Sequence, residues 1–193
     1  MIFLIVGLVL FLGPHLLTTR RVARSDLRAR FGANRYKGAY SIIALAGFAL
    51  ICYGFADYRA DGYIGIWTPP KALAPVAMLL MLPTFVLFAA TNSGGLIQGK
   101  IKHPMLAGIK FWALAHLLTN GDLGSMLLFG SFLAWAIYAR ITIRQREADE
   151  GAPDWAAMRF GRKDAIATVA GLSLYGLFGF VLHPILIGVS ITG

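Results

Sequence analysis

The sequence predicts an all-α integral membrane helical bundle of about six transmembrane helices, and three observations carry that prediction. Of its 193 residues, 58% are apolar and only 14% charged, where a soluble domain carries about 25% charged residues. Apolar runs of about 18 residues recur along the chain, each long enough to cross a bilayer. The basic residues collect between alternate runs rather than along them. In lipid every backbone polar group must be satisfied within the chain, which makes such runs helices. Residues 1–193 read as a single transmembrane domain.

The spans follow in order. The first covers roughly 1–18. No basic residues precede its apolar core and no small-x-small site follows it, so it reads as a retained helix and not a cleaved signal. The second covers 38–58, where Gly47 and Gly54 recur at heptad spacing with Ala44 between turns. That is a stripe for close helix packing. Cys52 lies in this span as the single cysteine, so no intrachain disulfide can form. The breaker Trp67-Thr68-Pro69-Pro70 precedes the third span, 72–90, and Asn92-Ser93-Gly94-Gly95 follows it. The fourth, 104–119, is short and opens at His103-Pro104, a first-turn position where proline forfeits no hydrogen bond. Asn120-Gly121-Asp122 forms a tight turn, with Asp122 expected to cap the fifth span, 123–139. Glu150-Gly151-Ala152-Pro153 breaks the chain before the sixth, 165–190, which Pro184 is expected to kink or break.

Charge sets an orientation. Fifteen Lys and Arg residues lie between spans one and two, three and four, and five and six; only Arg59 and Lys71 lie on the other side, and Lys110 is inside a span. The positive-inside rule then places both termini outside and the three basic loops in the cytoplasm. The net charge of +9 is accounted for by this topology and by contact with anionic lipid, so no nucleic-acid partner is expected.

Against that apolar background the polar side chains stand out. An ionisable group at membrane depth is a functional candidate by default. His15 follows Gly13-Pro14 at the end of span one and reads either as an interfacial residue or as a ligand facing the bundle. His103 and His183 share the tail His-Pro-x-Leu-x-Gly and read first as interfacial. His116, amid Trp112-Ala113-Leu114-Ala115 and Leu117-Leu118, reads as a metal ligand or proton relay. Lys110 either snorkels to the headgroups or faces inward to meet an acidic group such as a porphyrin propionate. It lies about 120° from His116 around the helix. Asn120 follows His116 by four residues and could orient its ring. No P-loop, Gly-rich dinucleotide fingerprint or Cys-x-x-Cys is present. Membrane-embedded carboxylates are not expected either, which disfavours a proton-coupled transporter.

Three stretches together carry a family resemblance: Gly13-Pro14-His15-Leu16, then Arg35-Tyr36-Lys37-Gly38-Ala39-Tyr40-Ser41, then the run from Lys102-His103-Pro104 through Phe111-Trp112-Ala113-Leu114-Ala115-His116 to Asn120-Gly121-Asp122. They resemble the NnrU family of bacterial membrane proteins over nearly the whole chain. The resemblance implies a protein of the bacterial inner membrane linked to denitrification and nitric-oxide reduction. That family is similar in turn to the plant and cyanobacterial 15-cis-zeta-carotene isomerases, membrane enzymes that use haem b. By this likeness His15 and His116 match the haem ligands and His103 matches the histidine of the His-Pro pair, giving three candidate metal ligands. Lys110 or loop arginines would then lie near the propionates. Where the isomerases carry a cysteine after the tryptophan, this chain has Ala113. Three functions follow from the likeness. One is a haem b protein of nitric-oxide metabolism. A second is a haem-dependent isomerase of a lipophilic polyene. The third is a cofactor-free accessory protein of a membrane redox complex.

Overall fold

The computed structural model describes residues 1–191 and is built of helices; among the described residues the one extended pairing is an isolated antiparallel bridge between Gly65 and Asp122. In chain order the α-helices are α1 (Ile2–Thr19), α2 (Arg21–Phe31), α3 (Ala33–Asp61), α4 (Leu73–Ala89), α5 (Leu96–Ile101), α6 (Pro104–Thr119), α7 (Leu123–Glu150), α8 (Arg162–Leu177) and α9 (His183–Ile187). Each of the first five predicted spans falls on one helix, and the sixth covers α8, a π-turn at Phe178–Leu182 and α9. Among the described residues four segments, against about six expected, are long and apolar enough to cross a membrane: Ile2–Thr19, Ala33–Ala60, Leu123–Glu150 and Arg162–Ile187. Helices α4 and α6 have 17 and 16 residues, a reach of roughly 24–26 Å, a little short of a hydrocarbon core of about 30 Å.

The surface of these helices is apolar. Leu45 and Leu79 are each 70% exposed and Val169 is 65% exposed. Continuous apolar exposure of this kind is untenable in water and is the ordinary state of a lipid-facing helix.

The chain divides into two compact units, Met1–Trp67 with Gly121–Ile143, and Thr68–Asn120 with Arg144–Gly193. In the first, the Gly47/Gly54 stripe makes the close helix contact expected of it, and its partner is α1. A Cβ added at Gly54 would lie 2.3 Å from Leu4 N, one at Gly47 2.5 Å from Phe11 N, and one at Gly7 2.6 Å from Ile51 N. Backbone meets backbone there, so the helices gain close dispersion contact that any side chain would abolish. The start of α7 joins this unit. Asp122 caps α7 as predicted, accepting from Ser125 N–H at 2.8 Å. Ile64 O accepts from Leu123 N–H at 2.9 Å and Tyr58 Oη from Ile64 N–H at 2.9 Å.

In the second unit α4 is central and packs on both α6 and α8. A Cβ at Gly108 would meet the Phe88 ring at 2.6 Å, and one at Gly171 the Val86 Cα at 2.5 Å. Pro184 perturbs the last span as predicted, one turn upstream of itself. Proline has no N–H for the carbonyl four residues back, and Phe178–Leu182 relaxes into a π-turn, with His183 N–H donating to Phe178 O.

Three elements exceed the sequence prediction. Helix α2 fills the first basic loop, α5 forms inside the third loop, and Trp155–Ala157 makes a 3-10 turn. Two carboxylates lie toward the ends of apolar helices: Asp57, near the end of α3, is 3.7 Å from the Met1 ammonium, and Asp164, on the first turn of α8, is buried.

Candidate functional site

Two histidines present the same local construction. His15 lies on α1, where its Nδ1 donates to Phe11 O at 2.6 Å. His116 lies on α6, where its Nδ1 donates to Trp112 O at 2.8 Å. In each case a carbonyl, which can only accept, fixes the proton on Nδ1 and leaves the lone pair on Nε2. That is the tautomer a metal-ligating histidine needs, with the backbone orienting the ring. In each case the residue four back is aromatic and its ring borders the imidazole: Phe11 stacks on His15 at 4.5 Å between centroids, and Trp112 lies 5.4 Å from His116.

Around His15, within the first unit, Tyr40 and Trp135 complete an aromatic surround at 5.4 and 5.5 Å. The Trp135 indole N–H is buried with no hydrogen-bond partner among the described residues, as is the hydroxyl of Tyr36, one turn before Tyr40. Leaving such a donor unsatisfied costs about 1–3 kcal/mol. The cluster therefore offers an oriented imidazole and unused donors in an apolar setting.

Around His116, within the second unit, Ala113 and Ala115 are buried while the imidazole is half-buried. Lys110 is half-buried on the same helix and makes no ion pair among the described residues. Asn120 differs from its expected role. Its Nδ2 donates to the main-chain carbonyl of His116 at 2.9 Å and to Thr119 Oγ1 at 3.3 Å, not to the imidazole. As the residue ending α6 it meets that helix's orphan carbonyls first.

The remaining histidines are held differently. His103 Nε2 sits 2.7 Å from Glu147 Oε1, and the Trp155 ring meets it edge-on at 5.6 Å. The imidazole thereby ties the start of α6 to the tail of α7. His183 Nδ1 donates to Val189 O at 2.8 Å, closing the chain after α9. Among the described residues no group of three or more His, Cys, Asp or Glu is placed to hold a metal ion.

The sequence reading passed over Asp164 and Glu147. Asp164 accepts from Leu96 N–H at 3.0 Å and Ile97 N–H at 2.8 Å, 68 and 67 residues away, and from Gly161 N–H at 3.1 Å. One carboxylate thus caps α5 and closes the entry to α8. The only sequence signal was an acidic residue three positions after Gly161, as in a half capping box. Its long-range half was invisible.

The long apolar helices define a helical membrane protein. The NnrU protein family model matches residues 3–191, and the chain belongs to that family. No curated protein and no solved structure shows significant similarity to it.

Proposed function

We propose that this chain is a multi-pass inner-membrane protein that binds haem b and supports nitric-oxide handling in denitrification, with both termini in the periplasm. The carrying observation is the repeated aromatic-x-x-x-His construction at Phe11/His15 and Trp112/His116, each imidazole oriented by the carbonyl four residues back. The residues fit the group: haem iron takes neutral imidazole Nε2, the porphyrin takes apolar and aromatic walls, and a propionate takes a cation or an N–H donor. His15 and His116 are the imidazoles proposed as ligands. Lys110 and the unpartnered Trp135 N–H would meet carboxylates. A bound haem would supply a one-electron iron centre.

The chain's own contribution is orientation and exclusion of water. The Nδ1–H···O=C bonds hold both rings in the ligating tautomer, and the aromatic neighbours keep bulk water off them. Ala113, fully buried beside Trp112, provides no thiolate, so a cysteine-ligated state has no ligand here. Full-length protein from haem-replete cells should give a pyridine haemochrome of haem b. Deletion in a denitrifying host should impair growth on nitrite, restored by the wild-type gene and not by His116→Ala. A clean haemochrome with normal growth of the deletion strain would keep the haem and discard the nitric-oxide role. In that case conversion of 15-cis-zeta-carotene in a carotenoid-producing host lacking its own isomerase is the next assay. Growth impairment without any haemochrome would support the accessory reading.

A further inference from the structure

Lys102 sits where lysine rarely does, at φ 66° and ψ −53° between α5 and α6. His103 N–H donates to Ile101 O at 2.8 Å, closing a γ-turn of the rare, strained, positive-φ kind. Such a conformation persists only where its surroundings over-determine it, and it clusters at ligand clamps. Here the surroundings do so from both sides. Asp164 fixes the two leading amides of α5. Gly99 seats α5 against the Trp155 turn so closely that a Cβ would lie 2.8 Å from Trp155 O. His103, the next residue, is held by Glu147 and Trp155.

Beside this scaffold lies an open hollow of about 630 Å³, within the usual volume range of a small-molecule site. Lys100, Lys102 and Arg159 line it, together with Asp154, Trp155 and Met158. Asp154 is the single acid in the lining, and its Oδ1 already accepts from Ala157 N–H at 3.1 Å. The side-chain ammoniums of Lys100 and Lys102 have no ion-pair or hydrogen-bond partner among the described residues. Arg159 spends one donor on Ala156 O, leaving four of its five N–H groups. Three exposed cations thus line the hollow with one half-committed carboxylate, an excess of positive charge that favours an anion. Lysine as a point charge and arginine as a fork are the side chains that hold phosphate. The walls come from the residues that immediately precede α6 and α8, so the cavity lies at the ends of apolar helices, the level of lipid headgroups.

We infer that this cavity binds a phosphate-bearing anion through Lys100, Lys102 and Arg159. The source of the phosphate is either an anionic lipid headgroup or free phosphate. The site is independent of the haem reading, and its test needs no haem.

The test is native mass spectrometry of the full chain in neutral detergent, titrated with phosphatidylglycerol or phosphatidylcholine, with inorganic phosphate as competitor. Phosphatidylglycerol should be retained over phosphatidylcholine. The triple variant Lys100→Gln/Lys102→Gln/Arg159→Gln should weaken that retention by at least about tenfold, from the loss of three cations near the headgroup. Lys102→Gly accepts the positive φ without strain, so it should lose affinity while unfolding at the same temperature or higher, which separates binding from misfolding. Competition by inorganic phosphate assigns the site to free phosphate, and absence of competition assigns it to the headgroup. The proposal is overturned if neither phosphatidylglycerol nor phosphate is preferred over phosphatidylcholine. It is equally overturned if the α2 triple Arg21→Gln/Arg24→Gln/Arg28→Gln lowers retention as much as the cavity triple does.

Discussion

Replacing Asp164 should loosen α5 before anything else moves. Its carboxylate is fully buried and accepts three backbone N–H bonds, with Oδ2 taking Leu96 and Gly161 and Oδ1 taking Ile97. Hydrogen bonds to a charged group contribute about 1.5–3 kcal/mol each, and a buried donor left unsatisfied costs about 1–3 kcal/mol. Asp164→Asn keeps one accepting oxygen for two of the three donors when the amide nitrogen faces Ile97. Its cost is then that of one bond, about 2 kcal/mol. Asp164→Ala loses all three; partial hydration of the freed amides at the helix end brings the cost to about 4 kcal/mol. At 1.4 kcal/mol per decade, the Ala variant should open α5 on the order of 10³-fold more often, and the Asn variant on the order of 30-fold. Hydrogen–deuterium exchange of a peptide covering 94–101 reads this opening directly. Gly95 supplies an internal check, since a Cβ there would lie 2.5 Å from Asp164 Oδ1. Gly95→Ala should therefore be harmful in the wild type and far better tolerated beside Asp164→Ala. Unchanged exchange of 94–101 in Asp164→Ala, or simple additivity of the two substitutions, would refute the capping role.

Further expectations follow from other contacts. Gly54→Ala should separate α1 from α3 and lower the unfolding temperature in detergent. Gly38→Ala, on the same helix with nothing within 4 Å of its Cβ, should be neutral or stabilising by up to about 1 kcal/mol; equal effects would remove the packing argument. His103→Ala and Glu147→Ala should be non-additive, because each alone leaves the other partner half-buried; a double-mutant cycle with no coupling would show the 2.7 Å pair to be energetically idle. For topology, a cysteine at Arg24 should be labelled from the cytoplasmic side only, and periplasmic labelling would invert the assignment.

What was legible in the sequence depended on whether the cause was local. Helices α1, α3, α4 and α7 follow from apolar runs, and a close-packing face on α3 followed from two glycines seven apart, because helical period alone places them on one face; that α1 is the partner did not. Asp122 was readable as a cap because its partner, Ser125, is three residues away. Pro184 was readable as a disturbance, though not its form, since the π-turn arises in the residues before it. By contrast, α5 has six residues behind a Ser-Gly-Gly breaker and forms because a carboxylate 67 and 68 residues away fills its leading amides. No window of sequence contains that cause. Helix α2 was hidden differently: its arginines read as a topology signal, which is indifferent to secondary structure. At the candidate site, the histidines were visible as polar intruders in apolar runs. Their shared orientation by the i−4 carbonyl was not, because it depends on which rotamer each ring takes. Asn120 was assigned to the ring of His116 on helical spacing, but the terminating helix turns its amide to the main chain instead.

The ultraviolet–visible spectrum of the full-length protein, purified in detergent from haem-replete cells, tests the central claim most directly. The expected result is a Soret band with haem b α and β bands on reduction, diminished or shifted in His15→Ala and in His116→Ala, and unchanged in Lys102→Ala. A well-folded wild-type protein with no Soret band would contradict the haem assignment, and a spectrum unaltered by either histidine substitution would contradict the ligands.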